Sequence, residues 1–420
     1  MRDLLPEEAE ALRFTEQTAR EIARLYGYRE VVTPIVENYE LLAAKIGEEN
    51  RKRMYVFEDL GGRKVALRPE FTASVARLVA TKMQSTPKPL RLFSVGSLYR
   101  YDEPQFGRHR EFWQANYEIF GSKRPEADVE ILFLTNDFLG KIGLKNYTFK
   151  IGHVGILRGI LDREKIAEEK QNSIMQLLDK KHWEDATRLV KEASASQECV
   201  EDLQSLFEIR GKNLENLVVE IGEIVKPYPE AFEALENLRA IIDLLLKGGA
   251  DFEIVLEAGF ARGLEYYTGL IFEIYVREMA QALGGGGRYD RLIELFGGGK
   301  TPAVGIAHGL DRLLLALQKQ GNLPKVPVTE RVLVIPVRDE MLGEAFKVSS
   351  ILRSAGICTE VEVAGRSVSR ALSDADRKGF TYAVIIGSKE IAEGKVVLRD
   401  MERRIQEVID VDELPARFKA

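Results

Sequence analysis

The chain has 420 residues, 45% of them hydrophobic and 30% charged, and carries a formal net charge of -6. That length and composition belong to a folded protein of two or three domains and exclude a disordered chain. The negative balance excludes wholesale attraction to polyanions, and four histidines with two distant cysteines, Cys199 and Cys358, offer neither metal-ligand spacing nor a disulfide framework.

The opening "MRDLLPEEAEAL" sets a proline and acids where a secretory signal needs a cation-flanked apolar run, so a cytoplasmic protein without membrane segments is expected. "PEEAEALRFTEQTAREIARLYG" reads as one long amphipathic helix closing on Gly27. "REVVTPIVE", "RMYVFED" and "RKVALRPE" read as a strand and a hairpin turning at Gly61-Gly62, and "FTASVARLVATKM" returns to helical spacing. Two strand patterns then flank the polar loop "DEPQFGRHR", followed by the helix "DVEILFLTNDFLGKIG". Hairpins with segregated helices point to an α+β core built on an antiparallel sheet.

From about 155 to 248 the sequence is charged and helix-periodic, with Phe232, Leu235, Leu238, Ile241 and Leu245 as an apolar stripe, and reads as a helical insertion. Strand signals resume in "FEIVLEAGFARGLEYYTGLIFEIYV", and a helical pattern is expected from Ile306 onward. After the linker "NLPKVPVTE", the runs "RVLVIPV", "ICTEVEV" and "TYAVIIG" with helices between them predict a small α/β domain over 330–420. The expected division is therefore a core over 1–325, interrupted at 155–248, and a tail domain.

"GGGKT" at Gly297–Thr301 resembles the end of a phosphate-binding loop but fails it, because Glu294 stands where a glycine is needed and Pro302 where a helix should start. "GGGG" at Gly284–Gly287 has two readings, a tight turn or a close backbone approach to a ligand. In "EFWQANYEIF" a two-residue period puts Phe112, Gln114, Asn116 and Glu118 on one face. That face faces either water or a ligand. Arg100, Arg108 and Arg110 nearby favour a ligand with phosphate oxygens, for which an arginine fork is suited. Taken singly, Thr72 reads as a helix cap, Glu70 as a solvated acid and Arg312 as a surface or salt-bridged residue.

Taken together, the segment Arg100–Gly121, the "VGIAHGLDRL" stretch with its arginine, and the peptides "ARGLEYYTG" and "GGGGRYD" are similar to motifs of the class II aminoacyl-tRNA synthetases. Within them the chain resembles the histidyl-tRNA synthetases over nearly its whole length. A departure is Asp311, where that family more often has glutamate.

The resemblance implies L-histidine, ATP with Mg²⁺, and tRNA(His) as substrates and partners, a homodimer, and an anticodon-binding tail. It implies that Arg100 holds the α-phosphate, Phe112 stacks on adenine and Arg312 reaches the γ-phosphate. Glu70, Thr72 and Gln114 would grip the amino acid's ammonium and neighbouring groups. Glu118 and Tyr267 would address the imidazole nitrogens, with Tyr266 and Tyr289 shaping the pocket. Arg262 would stand against the α-phosphate during carboxylate attack, and Gln105, Arg108 and Arg110 are candidates for the acceptor end of tRNA. The rival readings are a synthetase-like regulatory subunit of ATP phosphoribosyltransferase, which generally lacks the tail, and a synthetase of the glycine, proline or threonine branch.

Overall fold

Pro6 and the acids Glu7 and Glu8 open the helix Pro6–Leu25, whose buried stripe includes Leu12, Ala19, Ile22 and Ala23. The structure, a computed structural model, describes residues 1–44, 46–102, 109–193, 195–324 and 330–418. The chain divides into two compact units, Met1–Pro324 and Lys325–Ala420.

A nine-stranded sheet organises the first unit. Its strands in chain order are β1 (Arg29–Glu30), β2 (Leu90–Tyr99), β3 (Glu111–Phe120), β4 (Tyr147–His153), β5 (Arg210–Gly211), β6 (Glu253–Glu257), β7 (Leu270–Val276), β8 (Gly284–Arg288) and β9 (Ala303–Gly309). They lie in the order β1-β2-β3-β9-β8-β7-β4-β6-β5. The central pairings are all antiparallel, and only β1 with β2 and β4 with β6 run parallel, so the expected antiparallel core has parallel flanks.

Alternation along β3 separates two environments. Tyr117 points to a helical face, where its hydroxyl donates to the Ala19 carbonyl at 2.9 Å and its ring meets Phe93, Phe138 and His308. The helices Pro6–Leu25, Pro125–Lys141 and Leu310–Lys319 cover that side. Phe112, Gln114, Asn116 and Glu118 occupy the opposite face. A small antiparallel sheet of Val36–Asn38, Lys64–Leu67 and Val56–Glu58 stands apart from the main one.

Three expectations need correction. The glycine quartet is no turn: Gly284–Gly287 run through the interior strand β8. The helix expected from Ile306 begins at Leu310, because residues 303–309 pair on both sides as β9. Phe232 is 38% exposed, whereas Leu235, Leu238, Ile241 and Leu245 are fully buried and Ala231 completes their stripe. Gly159 explains the choice of alanine, since a Cβ there would stand 2.4 Å from the Ala231 nitrogen and force the helices apart.

Among the described residues between β4 and β6, six helices from Val154 to Lys247 flank the short strand β5, and their buried residues belong to the same core as the sheet. In the second unit, β10 (Arg331–Pro336), β11 (Cys358–Val361), β12 (Tyr382–Ile386), β13 (Lys395–Asp400) and β14 (Gln406–Asp410) lie in the order β11-β10-β12-β13-β14. β10 is parallel to both neighbours, and the last two pairings are antiparallel. Val332 and Val334 join one buried cluster with the helix Leu342–Ser354, while Leu333 and Ile335 join another with the helix Val368–Arg377. A strand buried on both faces reads as a continuous apolar run, which is what "RVLVIP" is.

Candidate active site

The open face of the central sheet forms the floor of a cavity of about 260 Å³. Register fixes which side chains meet there. One cross-strand row runs Asn116, Ala307, Gly285, Glu273 and Lys150; the next runs Glu118, Gly305, Gly287, Ile271 and Gly152. Each row has glycine at its centre, so the floor is partly bare backbone, and two side chains from the preceding loop descend onto it. The Arg262 guanidinium lies over Gly285, where a Cβ would be 2.5 Å from its Nη1. The Tyr267 ring lies over Gly287, where a Cβ would be 2.9 Å from Cε1.

Polar partners hold these groups. Arg262 Nη1 donates to the Tyr267 hydroxyl at 3.2 Å, and its Nε stands 3.6 Å from Glu273. Burial opposes the charge on Arg262, but Tyr267, Glu273, Tyr266 and Asp179 around it outweigh that and raise its pKa. The Tyr266 hydroxyl donates to Glu70 at 3.1 Å, and Glu70 also accepts from the Ala73 N–H at 3.0 Å, capping the helix Thr72–Lys82. Burial raises the pKa of Glu70, which is therefore not a solvated acid. Thr72 is the first residue of that helix rather than its cap, and it lines the cavity. Glu118 accepts from the Tyr289 hydroxyl at 2.9 Å, and burial pushes its pKa up to about 7.

Next to Glu70, Arg100 stands with its guanidinium 5.2 Å from the Phe112 ring centre and donates from Nε to the Pro69 carbonyl at 2.9 Å. Burial lowers its pKa, with Glu70 acting against the shift. Arg312 lines the cavity and donates to the Ala282 carbonyl at 2.7 Å, so it is not a surface residue. Asp311 accepts from the Trp113 N–H at 2.6 Å and from Arg2 at 2.7 Å, which locks the start of this helix to β3. The Gln114 Oε1 is buried without a protein partner among the described residues, an acceptor facing a ligand site.

The fold thus brings Glu70, Thr72, Arg100, Phe112, Gln114, Arg262, Tyr266, Tyr267, Tyr289 and Arg312 to one cavity wall. Glu118 sits one layer behind it, against Tyr289 and opposite Gly305, which puts no side chain in between. Arg110 lies elsewhere, its guanidinium 4.1 Å from the Tyr101 ring centre. Gln105 and Arg108 fall outside the described residues. Sequence reasoning missed Glu273, hidden in the apolar run of β7, and Asp179, which lines the cavity from the helix Glu168–Asp179. The first could have been found by pairing Glu273 against the glycine quartet; no local signal marked the second. Three arginines, buried acceptors and an aromatic ring around one cavity suit an anionic nucleotide beside a small zwitterion.

Comparison with known proteins follows the same division. The family model described as "Histidyl-tRNA synthetase" matches residues 1–313, and the one described as "Anticodon binding domain" matches residues 331–420. A histidine–tRNA ligase of Methanocaldococcus jannaschii is 41% identical over 417 residues, covering 98% of this chain and 97% of its own. Among solved structures, the apo histidyl-tRNA synthetase of S. aureus superposes with a TM-score of 0.73 at 25% identity, covering 100% of this chain and 98% of its own. A Bacillus halodurans protein described as an ATP phosphoribosyltransferase regulatory subunit/histidyl-tRNA synthetase gives 0.76 at 26% identity, covering 89% and 94%.

Proposed function

The chain belongs to the histidyl-tRNA synthetase family, and we propose that the side chains around Arg262 carry out its reaction in the following way. The enzyme condenses L-histidine with ATP to histidyl-adenylate and pyrophosphate, then passes the histidyl group to the 3′ end of tRNA(His). Ligase relatives spanning the tail as well as the core favour this over the regulatory-subunit alternative.

The row Glu118-Gly305-Gly287, with Tyr267 over its far end, is the observation that carries the amino-acid assignment. Glu118 and the Tyr289 hydroxyl stand over Gly305 and the Tyr267 ring over Gly287, so a carboxylate and two phenols meet along this glycine row. An imidazole has one N–H and one lone pair, and Glu118 and Tyr267 address them; an isostere lacking either would leave a buried polar group unpaired. Glu70, Thr72 and Gln114 take the ammonium and its neighbours. Phe112 stacks on adenine, Arg100 holds the α-phosphate and Arg312 the γ-phosphate. Arg262, fixed over Gly285, stabilises charge developing on the α-phosphate as the histidine carboxylate attacks. The carboxylate is already a nucleophile, so positioning and electrostatics do the rest. Mg²⁺ enters with the nucleotide as part of that substrate: no group of three His, Cys, Asp or Glu able to hold a metal occurs among the described residues, and a magnesium ion of this kind is held largely by phosphate oxygens.

For Arg110, with Gln105 and Arg108 close to it in sequence, the proposed partner is the acceptor end of tRNA. A homodimer is supported by exposed apolar residues at and beside the small sheet: Val32, Ile35, Val36, Val56, Phe57 and Leu60. The expected division also stands as a proposal, with the helices over 155–248 as an insertion and 330–420 as the anticodon-binding domain. No described helix is long and apolar enough to cross a membrane. We place the enzyme in the cytoplasm. Amino-acid-dependent ATP–pyrophosphate exchange tests the assignment: histidine should support it, and equal exchange with glycine, proline or threonine would refute it.

A further inference from the structure

Arg262 reaches the cavity from a loop, and the groups that hold this loop come from distant parts of the chain. The Gly263 N–H donates to Asp179 Oδ2 at 3.0 Å, across 84 residues of sequence. A Cβ on Gly263 would stand 2.9 Å from that same oxygen and push the carboxylate aside. On the other side of the loop, the Gly263 carbonyl lies only 2.8 Å from where a Cβ on Gly47 would be, and Gly47 has a left-handed φ of +85°. The two holding elements are themselves joined: Lys180, just past the helix Glu168–Asp179, pairs with Glu49 at 2.7 Å. Gln176 of the same helix donates to Glu265 at 3.4 Å. The peptide next to Arg262 is thus anchored through its N–H by Asp179, with Gly47 closely approached on its other side.

We propose that Asp179 is a positioning residue for the activation step: its carboxylate anchors the Gly263 N–H and so sets the Arg262 guanidinium over Gly285. The inference rests on the catalytic reading of Arg262. Asp179 is the last residue of its helix and, among the described residues of the helical segment between β4 and β6, the one that lines the cavity. Its neighbourhood suits that task. Asp179 lines the cavity, and the nearby Arg262 guanidinium works to keep its carboxyl ionised. Loss of the anchor frees the loop without removing any group that contacts substrate. The cost should therefore fall on kcat rather than on binding.

Full-length variants test this by histidine-dependent pyrophosphate exchange, with thermal unfolding recorded for each. Asp179→Ala should lower kcat roughly 10- to 100-fold, the scale of a misplaced catalytic group. KM for ATP and histidine should stay within about twofold. Asp179→Asn keeps an oxygen that can accept from Gly263 N–H and should stay within about threefold of wild type. In an Arg262→Ala background, Asp179→Ala should cost less than about twofold further, because the contact it serves is gone. Full additivity in the double variant, or equal loss from Ala and Asn, would overturn the proposal. So would an unimpaired Asp179→Ala enzyme beside a crippled Arg262→Ala enzyme. A near-wild-type Arg262→Ala enzyme would overturn the catalytic reading itself, and this proposal with it.

Discussion

The Tyr289 hydroxyl donates to Glu118 Oε1 at 2.9 Å inside the buried layer behind the cavity wall. Even with this bond, burial holds the Glu118 pKa at about 7, well above the ordinary glutamate value of about 4.5. The sign follows from proton counting. Between about pH 4.5 and 7 the folded state holds a proton that the unfolded state has released, so this group's contribution to stability falls as pH rises through that window. Above pH 7 the ionised carboxylate costs the free enzyme up to about 3 kcal/mol.

Glu118→Gln should therefore unfold at a higher denaturant concentration than wild type at pH 8, by about 1–3 kcal/mol, with the gap closing toward pH 5. The same variant should lose histidine use, with KM for histidine rising far more than KM for ATP. Wild-type kcat/KM for histidine should decline below pH 7, on top of the substrate's own titration near 6.5. Equal stability of the two proteins at pH 8, measured by urea titration, would rule out an ionised buried Glu118.

Gly285→Ala adds a methyl group 2.5 Å from Arg262 Nη1. The obstructed group is the far end of a flexible side chain, so the fold should tolerate the change while the guanidinium is displaced. A displacement on the order of 1 Å costs about 100-fold in rate. Gly286→Ala, by contrast, would put its Cβ 2.1 Å from the Gly305 carbonyl oxygen, which cannot step aside. Exchange kinetics with melting curves should separate an inactive folded protein from a destabilised one.

Arg262→Ala should lower the single-turnover rate of adenylate formation on the order of 100-fold or more at saturating substrates. Affinity for ATP and histidine should change little. Lysine should rescue only in part, because a point charge lacks the planar two-pronged contact of guanidinium with phosphate. A neutral variant with near-wild-type single-turnover rates would show that the arginine is structural.

The unit boundary at Pro324 gives a clean deletion. A chain ending there should keep histidine-dependent exchange and lose tRNA charging. From Arg331 to Ala420 there are 15 Lys+Arg and 15 Asp+Glu, so base contacts rather than charge must carry tail recognition. Charging by the full chain should accordingly be sensitive to anticodon substitution. Undiminished charging by the truncated enzyme would contradict that division.

Sedimentation should give twice the chain mass, and Val32→Asp, at a residue 88% exposed, should shift it to the single-chain mass. A fully active enzyme at the single-chain mass would remove the interface from the functional account.

Most of the cavity wall was legible because its residues lie in short runs with their own periodicity. The two-residue alternation of Phe112, Gln114 and Glu118 needed only the strand to exist. What failed was identity of elements. Glycine is depleted in strands, so Gly284–Gly287 read as a turn or a close backbone approach to a ligand and not as a strand, although its neighbours on both sides are strands. A short apolar run such as "AVGIAHG" fits strand or helix equally, and only its pairing with β3 and β8 decided the matter. Asp179 had no local mark at all. Its meaning comes from a hydrogen bond closed over 84 residues, which no window of sequence contains.

The floor of the cavity is made by β3, β9, β8 and β7, all interior strands of the sheet. Amide protons on such strands exchange with solvent only when the core opens, whereas loop amides exchange through small local excursions. The pocket floor and the core of residues 1–324 are therefore one cooperative unit, whereas Arg262 and Tyr267 ride on a loop above it. Floor amides should exchange only with the main unfolding transition of residues 1–324, and the loop amides beside Arg262 earlier.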